Sequence, residues 1–110
     1  MLTGSGLTVK NNTQDGIGVD TQSHLSLSDS EVSGNAGCGV NFSNQSQGLL
    51  SGQNNITGNG IFGVGLGDLS NAYFDGGTIT GNQFNDIGCW GRHSVISSLA
   101  GVVYGTNNCQ

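Results

Sequence analysis

Apolar residues recur along this chain at a fixed interval: Val9, Val32, Ile56, Ile79 and Val102 are separated by 23, 24, 23 and 23 residues. Two further apolar marks divide each interval. The divisions are Val9, Ile17, Leu25, Val32; then Val32, Val40, Leu49, Ile56; then Ile56, Val64, Ala72, Ile79; then Ile79, Ile87, Val95, Val102. Only the step from Val40 to Leu49 is one residue longer than its counterparts, which places the single insertion in the loop Ser43 to Gly48. Next to the marks the period is two, as in Ile17/Val19, Val40/Phe42, Val64/Leu66 and Ile87/Cys89, the pattern of strands with one buried face. The short segments and the glycine content exclude helices. A fixed period of this length means one supersecondary unit stacked on copies of itself. Three strands per period, each turn about 4.8 Å above the last, predict an all-β, three-sided parallel solenoid of about four to five rungs. Its expected core is three columns: Val9/Val32/Ile56/Ile79/Val102, Ile17/Val40/Val64/Ile87 and Leu2/Leu25/Leu49/Ala72/Val95.

Polar positions repeat with the same period. Asn12, Asn35, Asn59 and Asn82 each lie three residues after the marks Val9, Val32, Ile56 and Ile79. An amide stacked at each level can bond its copies above and below and satisfy a sharp bend, so these residues are expected to form a structural ladder. Gly105 breaks the column, so the ladder should end before the last rung. Gly16, Gly39 and Gly63 form a companion column in which Asp86 replaces a fourth glycine; positive φ or close backbone approach is expected there.

The phrases ITGNGIFGVGL, SEVSGNAGCGVNF and GTITGNQFNDIGC resemble the right-handed parallel β-helix repeat of the pectate-lyase-like superfamily, which includes polysaccharide lyases and hydrolases, C5-epimerases and bacteriophage tailspikes. The resemblance covers residues 2 to about 108 and implies the fold. It leaves the chemistry open, because one scaffold hosts many functions.

Composition and charge narrow the possibilities. Two Lys+Arg against seven Asp+Glu give a formal net charge of −5, which offers no counterion-releasing surface for phosphates and argues against nucleic-acid binding. No apolar run reaches membrane-spanning length, and MLTGSGLTVK lacks the basic start and apolar core of a signal peptide. The three cysteines, Cys38, Cys89 and Cys109, show no CxxC spacing. Cys38 and Cys109 lie about three rungs apart, roughly 14 Å, too far for a bridge, so all three are read as free or structural thiols, with Cys89 in an inward column. Leu2 already occupies a strand column and Gln110 stops where another first-strand residue is due. Residues 1–110 are therefore expected to be a single β-helix segment, uncapped at both ends and continued by other subunits or by further rungs of a longer chain.

Charged and ring-bearing residues are few, so their placement is informative. Asp20, His24, Asp68, Trp90, Arg92 and His93 all follow a strand marked by Ile17, Val64 or Ile87, and Asp20, Ser43, Gly67 and Trp90 share one column. An indole beside an arginine and a carboxylate suits a sugar subsite, in which the ring stacks on C–H groups and the charges fix hydroxyls or uronate carboxylates. Trp90, Arg92, Asp68 and His93 are the candidate glycan-binding residues, with packing between subunits as the alternative use of the same flank. His93, with Asp68 or Asp20, is a candidate acid/base pair. The lyase and epimerase signatures implied by the family, calcium-binding aspartates with a catalytic Arg/Lys or a dense Tyr/His/Asp/Arg set, are not present. Asp15, Asp75 and Asp86 read as turn formers. No column stacks two carboxylates and no His/Cys cluster occurs, so neither a metal nor a cofactor is expected. The outward glycine-rich column Gly18, Asn41, Gly65, Gly88 is expected to leave a bare face that another backbone or a flat glycan can approach.

The expectation is an extracellular or virion-surface β-helix segment, tailspike- or fibre-like. It would assemble as a homo-oligomer, a trimer among the options, and contact polysaccharide. The rivals are a fragment of a polysaccharide lyase, hydrolase or C5-epimerase, and a purely structural adhesin or filament solenoid.

Overall fold

The computed structural model describes residues 1–109; Gln110, after which a further strand residue is expected, lies outside them. The first turn of chain carries β1 (Leu2–Ser5), β2 (Thr8–Lys10) and β3 (Ile17–Val19), and the second β4 (His24–Ser28), β5 (Glu31–Ser33) and β6 (Val40–Phe42). The third carries β7 (Gln47–Ser51), β8 (Asn55–Thr57) and β9 (Phe62–Leu66), and the fourth β10 (Asn71–Asp75), β11 (Thr78–Thr80) and β12 (Asn85–Cys89). Then β13 (Val95–Ala100) and β14 (Val103–Tyr104) begin a fifth. All pairing between these strands is parallel, in three sheets: β1-β4-β7-β10-β13, β2-β5-β8-β11-β14 and β3-β6-β9-β12. The protein is a three-sided parallel β-solenoid with its apolar side chains stacked inside.

Two predicted core columns stack as read over four layers: Val9↔Val32↔Ile56↔Ile79 and Ile17↔Val40↔Val64↔Ile87. The third does not. Its register is Leu2↔Leu25↔Gly48↔Ala72↔Ile96, with Leu27↔Leu50↔Phe74↔Leu99 as a second inward column beside it. Leu49 and Val95 instead point outward, 41% and 47% exposed. In a strand a one-residue slip exchanges the two faces, and the slip has a visible cause. For Leu49 the extra residue lies in the turn after Ser51, not in 43–48: Ser28 to Glu31 spans three steps, whereas their partners Ser51 to Asn55 span four. For Val95 a further residue enters before β13: Leu66 to Asn71 spans five steps, whereas their partners Cys89 and Val95 are six apart. Glycine takes the inward position at 48 because the Phe42 ring fills it; an added Cβ would lie 2.6 Å from Phe42 Cε1. The fifth layer is also offset, pairing Ile79 with Tyr104 in place of Val102.

The corner after the second sheet carries the amide ladder. Asn12 Nδ2 donates to Asn35 Oδ1 at 2.8 Å, Asn35 Nδ2 to Asn59 Oδ1 at 2.9 Å, and Asn59 Nδ2 to Asn82 Oδ1 at 2.9 Å. Each acceptor oxygen also takes the backbone N–H of the preceding asparagine. Asn35, Asn59 and Asn82 are buried, and this pairing lets a sharp bend lie inside without orphaned polar groups. The companion glycines are required by close approach: a Cβ on Gly39 would lie 2.6 Å from Gly63 O and 2.8 Å from Asn59 Nδ2.

Contrary to expectation, the three cysteines are not all free. Cys89 and Cys109 form a disulfide with Cα atoms 5.0 Å apart, and only Cys38 is a free, buried thiol. The last turn is shorter than the others: Ile87 bridges Asn107 across 20 residues where the repeat uses 23 or 24. That shortening sets Cys109 directly over Cys89. Burial pushes the Cys38 thiol up, and the nearby Asp15 charge adds to the effect.

Candidate functional site

The corner between the third and first sheets is built from stacked left-handed turns. Thr21 and Gln22, Asn44 and Gln45, and Asp68 and Leu69 all have positive φ, as does His93 on the next layer. The layers are joined through the backbone: Gln22 N–H donates to Asn44 O at 2.9 Å, Gln45 N–H to Asp68 O at 2.9 Å, and Leu69 N–H to Arg92 O at 2.7 Å. This geometry turns the side chains outward in columns, Thr21/Asn44/Asp68/Arg92 beside Gln22/Gln45/Leu69/His93. Asparagine and aspartate tolerate left-handed backbone well.

Asn44, Gln45, Asp68, Leu69, Arg92 and His93 line one open hollow of about 370 Å³. Asp68 also accepts the Arg92 backbone N–H through Oδ1 at 3.3 Å. The one ion pair among the described residues is Lys10–Glu31, 3.1 Å, on the second sheet, so the Arg92 guanidinium is not neutralised by a carboxylate of these residues. The hydrogen bond and charge of Lys10 hold the Glu31 carboxyl below its usual value.

Asp20 stands apart from this hollow. Its Oδ1 accepts from Asn44 Nδ2 at 2.7 Å and Ser43 Oγ at 3.0 Å, bonds that hold the carboxyl below its usual value. His24 begins β4 and lines a separate hollow with Met1, Leu2 and Asp20.

Trp90 turns the other way, onto the third sheet. Its indole lies over Gly67, where an added Cβ would meet ring carbons, and Nε1–H donates to Asn41 Oδ1 at 3.0 Å. Asn41 Nδ2 in turn donates to Asp15 Oδ2 at 3.2 Å. The ring is 48% exposed. The expected bare glycine face is therefore largely covered by the chain itself: Phe62 lies across Gly88 and contacts Gly65, leaving Gly18 open.

A family profile describing a right handed beta helix region matches residues 15–109. The chain belongs to the right-handed β-helix family. No curated protein and no solved structure matches it. Within this β-helix the corner hollow brings Asp68, Arg92 and His93 together, whereas Asp20, His24 and Trp90 lie outside it. The sequence reading missed Asn44, Gln45 and Leu69 as lining residues, although counting 23 or 24 positions from Thr21 and Gln22 finds their columns. It also missed Asn41 as the indole's partner. Those two residues are 49 positions apart, and no local pattern signals the contact.

Proposed function

We propose that this β-helix is a non-cytosolic, tailspike- or fibre-like segment that assembles with other subunits and contacts polysaccharide at the corner formed by Asp68, Arg92 and His93. The observation that carries the reading is the shared open hollow, in which a guanidinium, an imidazole, a carboxylate and two amides converge. Such groups bond sugar hydroxyls and carboxylates in directed pairs. The half-exposed Trp90 lies on the neighbouring face, where it offers a ring for stacking on sugar C–H groups. The Cys89–Cys109 disulfide supports an oxidising compartment, extracellular or virion-surface.

Binding to an array of bacterial surface glycans tests the reading. Arg92→Ala is expected to weaken any captured glycan at least tenfold with the fold unchanged. Absence of binding across neutral and acidic glycans, or binding indifferent to Arg92, overturns it. Because Asp68 and His93 line the same hollow, a catalytic version is checked in the same samples: release of shortened or unsaturated sugars, lost in His93→Ala, assigns the enzyme-fragment reading. Light scattering on the purified protein tests assembly, and a stable monomer at all concentrations counts against it.

A further inference from the structure

We infer that the Cys89–Cys109 disulfide is a redox latch: it holds residues 105–109 over the edge of β12, and its reduction opens that edge without unfolding the layers beneath. Residues 105–109 have three kinds of attachment. The first is backbone and amide pairing: Ile87 N–H donates to Thr106 O at 3.1 Å, Asn108 N–H to Ile87 O at 3.1 Å, and Cys89 N–H to Asn108 Oδ1 at 2.7 Å. The second is Asp86, whose Oδ2 accepts the Gly105 and Thr106 N–H groups at 2.9 Å each and whose own N–H donates to Thr106 Oγ1 at 2.9 Å. The third is the covalent bond.

Beyond those hydrogen bonds and the covalent link the segment has little apolar hold. In this segment Cys109 alone packs against the core, while Gly105, Thr106 and Asn108 are exposed, and so are Val103 and Tyr104 just before it. The inner layers differ. β6 pairs over its whole length with Val64–Leu66 of β9, and the two bury Val40, Phe42, Val64 and Leu66. Segments with few buried apolar contacts open at low free energy, and a cross-link opposes opening by restricting the released chain.

Reduction by a dithiol breaks the Cys89–Cys109 S–S bond. Two electrons and two protons pass from the dithiol, which becomes a disulfide, and both cysteines become thiols. Once released, the segment uncovers the N–H groups of Asp86, Ile87 and Cys89 and the C=O of Ile87. An unpaired edge of this kind accepts a further extended strand. Cys38 is buried in the second turn of chain and takes no part.

Amide hydrogen exchange read by NMR, on the whole chain before and after dithiothreitol, tests the latch. Reduction is expected to speed exchange roughly 100-fold at Ile87, Cys89 and Asn108, with Val40 and Val64 unchanged. The double variant Cys89→Ser, Cys109→Ser should exchange fast at Ile87 and Asn108 with no reductant present. Equal protection in both redox states overturns the latch. So does a loss of protection at Val40 and Val64 together with β12, because the bond would then staple the whole fold.

Discussion

Asn82 Nδ2 donates to Asp86 Oδ1 at 3.0 Å, so a carboxylate four residues along the chain closes the ladder where no fifth asparagine exists. Asp86 occupies the glycine column, and the next layer has Gly105 where earlier layers carry the asparagine that would clash with a side chain here. The carboxylate fills that space and takes the N–H groups of Asn82, Gly105 and Thr106.

Burial of Asp86 would raise its pKa, but the hydrogen bonds from Asn82, Thr106 and Gly105 outweigh it and hold the carboxyl below the ordinary 3.8. A depressed folded value gives stability that is fully present above the unfolded pKa and is lost as pH falls through the folded one. Denaturation by urea between pH 5 and 2 should therefore show an acid loss of stability that is smaller in Asp86→Asn. The variant itself should be about 1–3 kcal/mol less stable at neutral pH, because an amide cannot serve all the donors. Identical pH profiles for the two proteins would contradict this account.

Gly39→Ala should destabilise by about 2–4 kcal/mol, since the added methyl meets backbone and ladder atoms that are themselves fixed. Gly18→Ala has nothing within 4 Å of its new methyl and should change stability by less than about 1 kcal/mol, with either sign. Paired denaturation midpoints decide the matter, and equal effects would remove close approach as the reason for the column.

Asn59→Ala removes the amide that accepts from Asn35 and donates to Asn82 and to Val32 O. A loss of about 3 kcal/mol is expected, because several buried groups lose partners at once. Asn59→Asp should recover little of it, since a carboxylate accepts but cannot donate. A variant with wild-type stability would show that the ladder contributes nothing.

Trp90 is the chain's single tryptophan, so its fluorescence reports on one place. Gly67→Ala pushes a methyl into the indole and Asn41→Ala removes its hydrogen-bond partner; both should shift emission to the red, at a cost of about 1 kcal/mol or less for the second. An unshifted spectrum in both variants would mean that the ring does not lie on Gly67.

The legible part of the molecule was the part carried by repetition. Val9, Val32, Ile56 and Ile79, and Ile17, Val40, Val64 and Ile87, stack as their spacing says, because each layer presents the next with the same buried face. The first-sheet column misled because Leu49 and Leu50 are both apolar, and alternation within one strand does not say which faces inward once a turn has gained a residue. Corner residues were legible only as columns. Asp68, Arg92 and His93 were expected on one flank and do line one hollow, but Trp90, from the same flank, lies on another sheet because Gly67 gives its ring a flat seat.

Period and spacing alone thus determined the coiled architecture and the amide ladder, since a solenoid makes neighbours of residues one period apart and local sequence is enough to name them; the family came from the likeness of the repeat phrases and the matching profile. Tertiary packing decided what departs from the period. The shortened last turn set Cys109 over Cys89 and brought Gly105 and Thr106 to Asp86; the aromatic rings of Phe42, Phe62 and Trp90 chose glycine surfaces on which to lie. These contacts depend on volumes and distances between layers, quantities that no spacing along the chain encodes.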